Sequence, residues 1–318
     1  MARDHKTIPI LITWDVDPDA WLPPEKRHFA LTTALNLCAE HNIPATFFFT
    51  AKLAETYTER FAQMQAEGHE VGCHGWTHGI EENYDQMDTT LQRDYIAQAT
   101  AKMRALAGEQ VCAFRSPRVK ISAATLRLLS EHGYTTDSSV CSQRIDFISS
   151  NLINLGWLFA PRRPYHPQSD HAFKKGTLPL WEVPVSALVL PFISSTLRVT
   201  GPKWMCTLAR LLYLEARRTG KPIVYLAHPT EFLGSGKKRS LRTNFKQFLN
   251  PKYFTPAYIR AHGFRFRNLF YAASGPVLQT YTRSLFSYLA ALPDVEFLTM
   301  RDYRARYLEP PSESAGNR

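Results

Sequence analysis

His74 and His78, four positions apart in Cys73-His74-Gly75-Trp76-Thr77-His78, are the pair in this 318-residue sequence whose types and spacing most directly suit a metal ion. Imidazole nitrogen is a good ligand for zinc and its neighbours, and on a helical turn an i, i+4 pair brings both rings to one side. Such pairs also arise by coincidence, so a third ligand has to be found. The segment Thr13-Trp14-Asp15-Val16-Asp17-Pro18 offers one. Residues two apart on extended chain share a face, so Asp15 and Asp17 can point into the same pocket. Two carboxylates that close repel and raise at least one pKa unless a cation intervenes, and a bound metal would be that cation. The competing use of such an Asp-x-Asp is a turn or a helix cap.

Two further residues stand at comparable places, Arg115 in Phe114-Arg115-Ser116-Pro117 and His228 in Leu226-Ala227-His228-Pro229. Taken singly, an arginine is usually a surface salt-bridge former and a histidine in an apolar run a satisfied core residue. Their joint occurrence at the ends of apolar runs gives them weight.

Bringing four such motifs together requires strands that end on one rim. Apolar runs at residues 8–14, 45–50, 69–74, 111–115, 134–137, 180–185, 223–228 and 296–299 read as strands. Helical patterns fall between them at 26–41, 51–66, 89–107, 122–132 and 204–219, with two more at 276–292 and 301–307. Ser122 is placed as an N-cap and Gly133 as a C-terminal glycine. This alternation predicts an α/β fold with a mostly parallel sheet or barrel, whose sites assemble beyond the strand C-termini. The expected organisation is one domain over 1–308 and a disordered tail over 309–318. Residues 142–177 lack periodicity and read as a long rim loop. Residues 233–275 read as an insertion in which Lys237, Lys238, Arg239 and Arg242 and their successors interleave with Phe245, Phe248 and Tyr253. That mixture suits a membrane-surface or nucleic-acid contact, or a solvated insertion whose aromatics pack inward.

Composition narrows the classes. With 44% hydrophobic and 21% charged residues the chain can build a sizeable core. No uninterrupted apolar run is long enough for a transmembrane helix, and the first residues lack a secretory h-region, so a cytoplasmic protein, at most peripheral to the inner membrane face, is expected. Five cysteines without CxxC spacing imply reduced thiols. A net charge of +10 points to an anionic partner: nucleic acid, a phosphate-bearing substrate or an acidic membrane.

The motifs, in this order, resemble the polysaccharide deacetylases, enzymes that remove acyl groups from sugars. The resemblance spans residues 8–232 and 296–307, and rests on Thr-Trp-Asp-Val-Asp, Gly-His-Glu-Val-Gly-Cys-His-Gly-Trp-Thr-His, Phe-Arg-Ser-Pro, Gly-Tyr-Thr-Thr-Asp-Ser-Ser-Val, Trp-Glu-Val-Pro-Val-Ser and Leu-Ala-His-Pro. It implies a distorted (β/α) barrel of about seven parallel strands. It further implies that Asp15 is the general base, that Asp17, His74 and His78 hold one divalent metal, that Arg115 steadies the base and that His228 is the general acid. Zinc suits that donor set, with cobalt, nickel or iron as alternatives. His69 and Glu70 are structural in the family.

This sequence departs from the family pattern in three places. Val16 separates the two aspartates, as in a branch that includes the lipid-linked aminoarabinose deformylases. Arg118 stands where a tyrosine is common, its backbone N–H still able to serve an oxyanion. The family's aspartate-tryptophan motif is missing after Asp137, which leaves Asp137 a weak candidate for orienting His228. Trp76, Pro117, Arg118 and Trp181 are the substrate-side candidates, with core packing the competing use of each tryptophan.

The expected function is hydrolysis of an N-acetyl or N-formyl group from an amino sugar, probed against two others. One is a non-carbohydrate amidase acting on a ureide or cyclic imide. The other is a non-enzymatic membrane- or nucleic-acid-binding protein, which the intact set of chemical residues argues against. An acylated amino sugar is the expected partner, with peripheral contact to anionic membrane through 233–275 and no role for nucleic acid.

Overall fold

The computed structural model describes residues 7–143, 155–234, 251 and 273–309. In chain order its strands are β1 (Ile8–Val16), β2 (Ala45–Phe49), β3 (Glu70–Cys73), β4 (Ala113–Phe114), β5 (Thr136–Asp137), β6 (Trp181–Glu182), β7 (Ala187–Leu188), β8 (Leu190–Pro191), β9 (Ile223–Ala227) and β10 (Val295–Phe297). Its helices are α1 (Pro24–Ala39), α2 (Thr58–Ala66), α3 (Thr89–Ala107), α4 (Ala123–Glu131), α5 (Leu155–Phe159), α6 (Ser194–Thr219), α7 (Gly275–Ala290) and α8 (Met300–Tyr303).

All nine residues of β1 are buried. A parallel strand covered on both faces has no polar side, which is why Ile8 to Trp14 reads as an almost unbroken apolar run. β2 and β9 both pair with β1 across Ile12 to Trp14 and therefore flank opposite edges of it. β10 pairs with the first three residues of β1. The sheet runs β10-β1-β2-β3-β4-β5-β6, a half-barrel path of seven parallel strands with β9 beside β1. The expected α/β class and distorted-barrel architecture are therefore observed. Among the described residues one apolar core extends from Ile8 to Tyr303 and includes Trp14 stacked on Phe47.

Each expected strand is present within a few residues. Ser122 caps α4 in a capping box with Thr125, and Gly133 beyond it has φ 76°. Other details differ. The stretch read as one helix over 51–66 opens as a 3₁₀ segment, Ala51–Tyr57, before α2. α6 begins ten residues before the expected 204, because the chain continues helically on both sides of a break at Gly201-Pro202, a pair that reads in sequence as a stop. The 142–177 stretch is not all loop: it holds α5, and antiparallel bridges join Tyr165 to Glu182 and Pro167 to Lys175. The short β7–β8 hairpin, with Val189 at φ 63°, was not expected. The insertion read at 233–275 and the tail at 309–318 lie almost wholly outside the described residues.

The C-terminal segment closes one end of the sheet. Met300 donates its backbone N–H to Thr46, and Arg301 donates its own to the buried Glu70, both at strand beginnings. Only the opposite rim, where β1, β3, β4 and β9 end, is left to collect the chemical residues. The five cysteines are free thiols. Among the described residues no helix is long and apolar enough to cross a membrane.

Candidate active site

Asp15, the last residue but one of β1, is buried, and Arg115, directly after β4, donates to it through Nη1 at 2.9 Å. The same nitrogen reaches Thr13 Oγ1 at 2.8 Å, while Nε and Nη2 donate to the Ser138 carbonyl and hydroxyl, each at 2.8 Å. The guanidinium also lies over the Phe48 ring, 4.5 Å from its centroid. With its whole fork engaged, Arg115 holds the Asp15 carboxylate in one orientation.

His74 donates Nδ1–H to the Arg115 carbonyl at 2.7 Å. A carbonyl can only accept, so this bond fixes the tautomer and leaves Nε2 with its lone pair. That Nε2 lies 3.4 Å from Asp17 Oδ1, and His78 Nε2 lies 3.4 Å from the same oxygen. Ligand atoms of Asp17, His74 and His78 all fall within 4.8 Å of one another. Asp17 Oδ1 is buried with no hydrogen-bond partner among the described residues, an arrangement that costs free energy unless a cation occupies the gap. Burial pushes the Asp17 carboxyl up, but His78, His74 and His228 together outweigh it and hold the group far below the usual carboxylate range. Burial drives the His78 imidazole down, towards the neutral form that ligates metal, whereas at His74 the burial effect is overcome by Asp15 and Asp17 and the net direction is upward. One carboxylate oxygen facing two imidazole nitrogens fits a divalent ion of the zinc class.

The two histidines are not on a helical turn. Residues 74–78 form an irregular loop with Gly75 at φ 72° and His78 at φ 56°. Its organiser is Glu82, fully buried, whose carboxylate accepts from the backbone N–H groups of Trp76, Thr77 and His78 at 2.6–2.7 Å and from the Tyr84 hydroxyl at 2.8 Å. A Cβ at position 75 would sit 2.5 Å from Glu82 Oε1 and 2.8 Å from Pro117 Cγ, so the loop can close only over glycine. Glu82 escapes a reading of the sequence because Glu81-Glu82 looks like an ordinary solvated turn.

The substrate-side candidates divide. Pro117 is buried against Gly75, and Trp76 is half-buried with its ring on the core. Arg118 does not offer a free charge: Nη2 donates to the His78 and Gly79 carbonyls at 2.8 and 3.0 Å, fastening the histidine loop from its far side. Arg118 and Val119 both adopt left-handed backbone, at φ 57° and 51°, the kind of strain that clusters at functional sites. Trp181 is placed elsewhere. It opens β6 rather than ending it, packs on His166 with ring centroids 3.7 Å apart, and donates to Glu309, which follows the π-helical turn Arg304–Leu308 after α8, at the closed end of the sheet.

His228 follows β9, with Nε2 4.0 Å from Asp15 Oδ2 and Nδ1 4.0 Å from Glu231 Oε1. Asp137, the residue considered for orienting it, is engaged in a buried cluster instead. It accepts from Ser139 at 2.7 Å, and burial pushes its carboxyl up; Glu182 beside it is raised by burial and then by Asp137. The carboxylate that faces His228 is Glu231, held by Arg198 at 3.0 Å. It sits three residues on because Pro229–Phe232 forms a 3₁₀ turn, whose three-residue repeat returns position 231 to the face of 228.

The model of the polysaccharide deacetylase family matches residues 2–136. A peptidoglycan deacetylase of Helicobacter pylori is 30% identical over 106 residues, covering 33% of this chain and 35% of that protein. The match thus spans about a third of such a relative's length. Among solved structures, a candidate polysaccharide deacetylase from Mycobacterium smegmatis superposes with TM-score 0.61 at 18% identity, over 100% of this chain and 97% of that one. PuuE allantoinase superposes with TM-score 0.57 at 14% identity, over 96% and 92%. By sequence, then, residues 2–136 match the polysaccharide deacetylase family, and the chain shares its fold with these two solved structures along nearly its whole length.

Proposed function

We propose that the protein is a metal-dependent hydrolase that removes an N-acyl group, acetyl or formyl, from an amino sugar. The observation that carries this reading is the buried, unpartnered Asp17 Oδ1 between the Nε2 atoms of His74 and His78, with Asp15 and His228 on the same rim. A divalent ion held by Asp17, His74 and His78, zinc first and cobalt, nickel or iron also suited to the donors, would act as a Lewis acid towards the acyl carbonyl.

The chain's own groups supply the proton transfers. Asp15, oriented by Arg115, takes the proton of the attacking water. His228 returns a proton to the departing amine as the C–N bond breaks. Glu231, fixed by Arg198, orients the imidazole through Nδ1; the 4.0 Å separations at His228 close when substrate fills the rim. The backbone N–H of Arg118 stabilises the developing oxyanion, and the half-buried Trp76 lines the sugar's approach.

The finer substrate follows from charge. A net charge of +10 suits an amino sugar attached to phosphate, either nucleotide-linked or lipid-linked, met in the cytoplasm or at its membrane face. A second reading, amidase action on a ureide, is favoured by the fold shared with PuuE allantoinase. Acetate and formate release from N-acylated amino-sugar oligomers and nucleotide-linked sugars, measured beside ring opening of allantoin with the metal-loaded protein, separates the two. Sugar deacylation alone supports the first reading; allantoin turnover alone replaces it with the second.

A further inference from the structure

Eight of the twelve strongly exposed large apolar side chains among the described residues fall in three neighbouring elements: α5, the β7–β8 hairpin and α6. Phe159 is 85% exposed on α5, Val189 57% at the hairpin tip and Trp204 71% on α6. These elements are tied together by Arg162, which donates to the Ala187 carbonyl of β7, to Gln143 and to Glu215 of α6, while Gln143 donates its N–H to the Trp157 carbonyl of α5. The elements that carry these apolar side chains are therefore neighbours on the surface.

The exposed face of α6 is ordered in two rows. Lys203, Arg210 and Arg217 recur every seven residues, and Trp204, Leu211 and Arg218 recur one step on, with Leu214 beside them. Seven residues make nearly two full helical turns, so each row runs straight along the helix. Across residues 155–165 and 186–221 the sequence carries Arg or Lys at eight positions and an acidic residue at one, Glu215. That single carboxylate is neutralised by Arg162 and Lys221. A basic row along an apolar row that includes tryptophan, with no uncompensated acid, matches the interface between acyl chains and anionic headgroups. A protein partner would require acidic groups facing the basic row and gives no reason for the apolar hairpin tip to project beside it.

We propose that the α6 face, with the β7–β8 hairpin and Phe159, is a peripheral docking surface for an anionic lipid bilayer. The surface is independent of the chemistry assigned to the rim and lies in described residues outside the 233–275 stretch. The test is co-sedimentation of the full chain with vesicles of phosphatidylcholine alone or mixed with phosphatidylglycerol, alongside the double variants Trp204→Ser/Leu211→Ser and Arg210→Glu/Arg217→Glu. The wild type binds the mixed vesicles, releases them at high salt and ignores phosphatidylcholine. Either double variant weakens binding by about tenfold or more, with the thermal midpoint unchanged. Trp204→Ser and Arg217→Glu singly show the same loss in smaller measure if a double variant fails to fold. Absence of binding to the mixed vesicles, or binding unchanged in every variant, overturns the proposal. Concentration-dependent self-association abolished by Trp204→Ser/Leu211→Ser also overturns it, making the patch a protein interface.

Discussion

Arg115 and Asp15 form an ion pair at 2.9 Å from which water is almost excluded, the two side chains being 0% and 4% exposed. Removing one member of such a pair strands the other. Arg115→Ala should cost about 3–5 kcal/mol of stability, because Asp15 then remains buried without its cation. Arg115→Lys keeps a charge but cannot reproduce the bonds to Ser138, so it should fall between wild type and Arg115→Ala. Urea unfolding of the three proteins measures this; equal midpoints would mean the pair contributes nothing.

Glu82 holds the proposed metal site through the backbone of the histidine loop. Glu82→Gln replaces one acceptor oxygen with an amide that faces backbone N–H groups, so the loop carrying His78 should loosen. Metal affinity should fall by roughly 10–100-fold, read by competition with a chelator, while the circular dichroism spectrum is retained.

In the proposed mechanism Glu231 acts on His228 and not on the ligands. Glu231→Gln should lower kcat by about tenfold or more with little change in KM and none in metal content, and Glu231→Asp should recover less than full activity. A change confined to KM would assign Glu231 to substrate contact instead.

Lys221 gives a pH signature far from the site. Burial lowers its pKa from 10.5 to about 8, against the pull of Glu215. Between those values the unfolded chain binds this proton more than the folded chain does, so the stability contribution rises with pH across that window. Lys221→Met lacks the effect and leaves Glu215 paired to Arg162. The wild type should therefore gain on the variant by roughly 1–3 kcal/mol between pH 8 and 10 in denaturant titrations.

How much of this was legible in the sequence depends on how local each signal is. The strands were readable because doubly covered parallel strands are continuous apolar runs, and the residues gathered on the rim stood at their ends. α6 was truncated because Gly201-Pro202 imitates a terminus that packing overrides. The histidine loop reads as a helical turn because spacing alone cannot distinguish i, i+4 on a helix from two residues drawn together by a buried carboxylate. The roles of Glu82 and Glu231 are not legible in the sequence for the same reason: their partners are set by loop closure and a short 3₁₀ turn. Trp181 was drawn to the site by its motif, yet in a parallel sheet a residue that opens a strand faces the closed end.

The most direct test is metal content, by mass spectrometry, of purified wild type beside Asp17→Ala, His78→Ala and Asp15→Asn. Near-stoichiometric divalent metal in wild type and Asp15→Asn, lost from Asp17→Ala and His78→Ala with their folds intact, is the predicted result. Wild-type protein that takes up no metal on reconstitution, or ligand variants that keep it, would contradict the assignment.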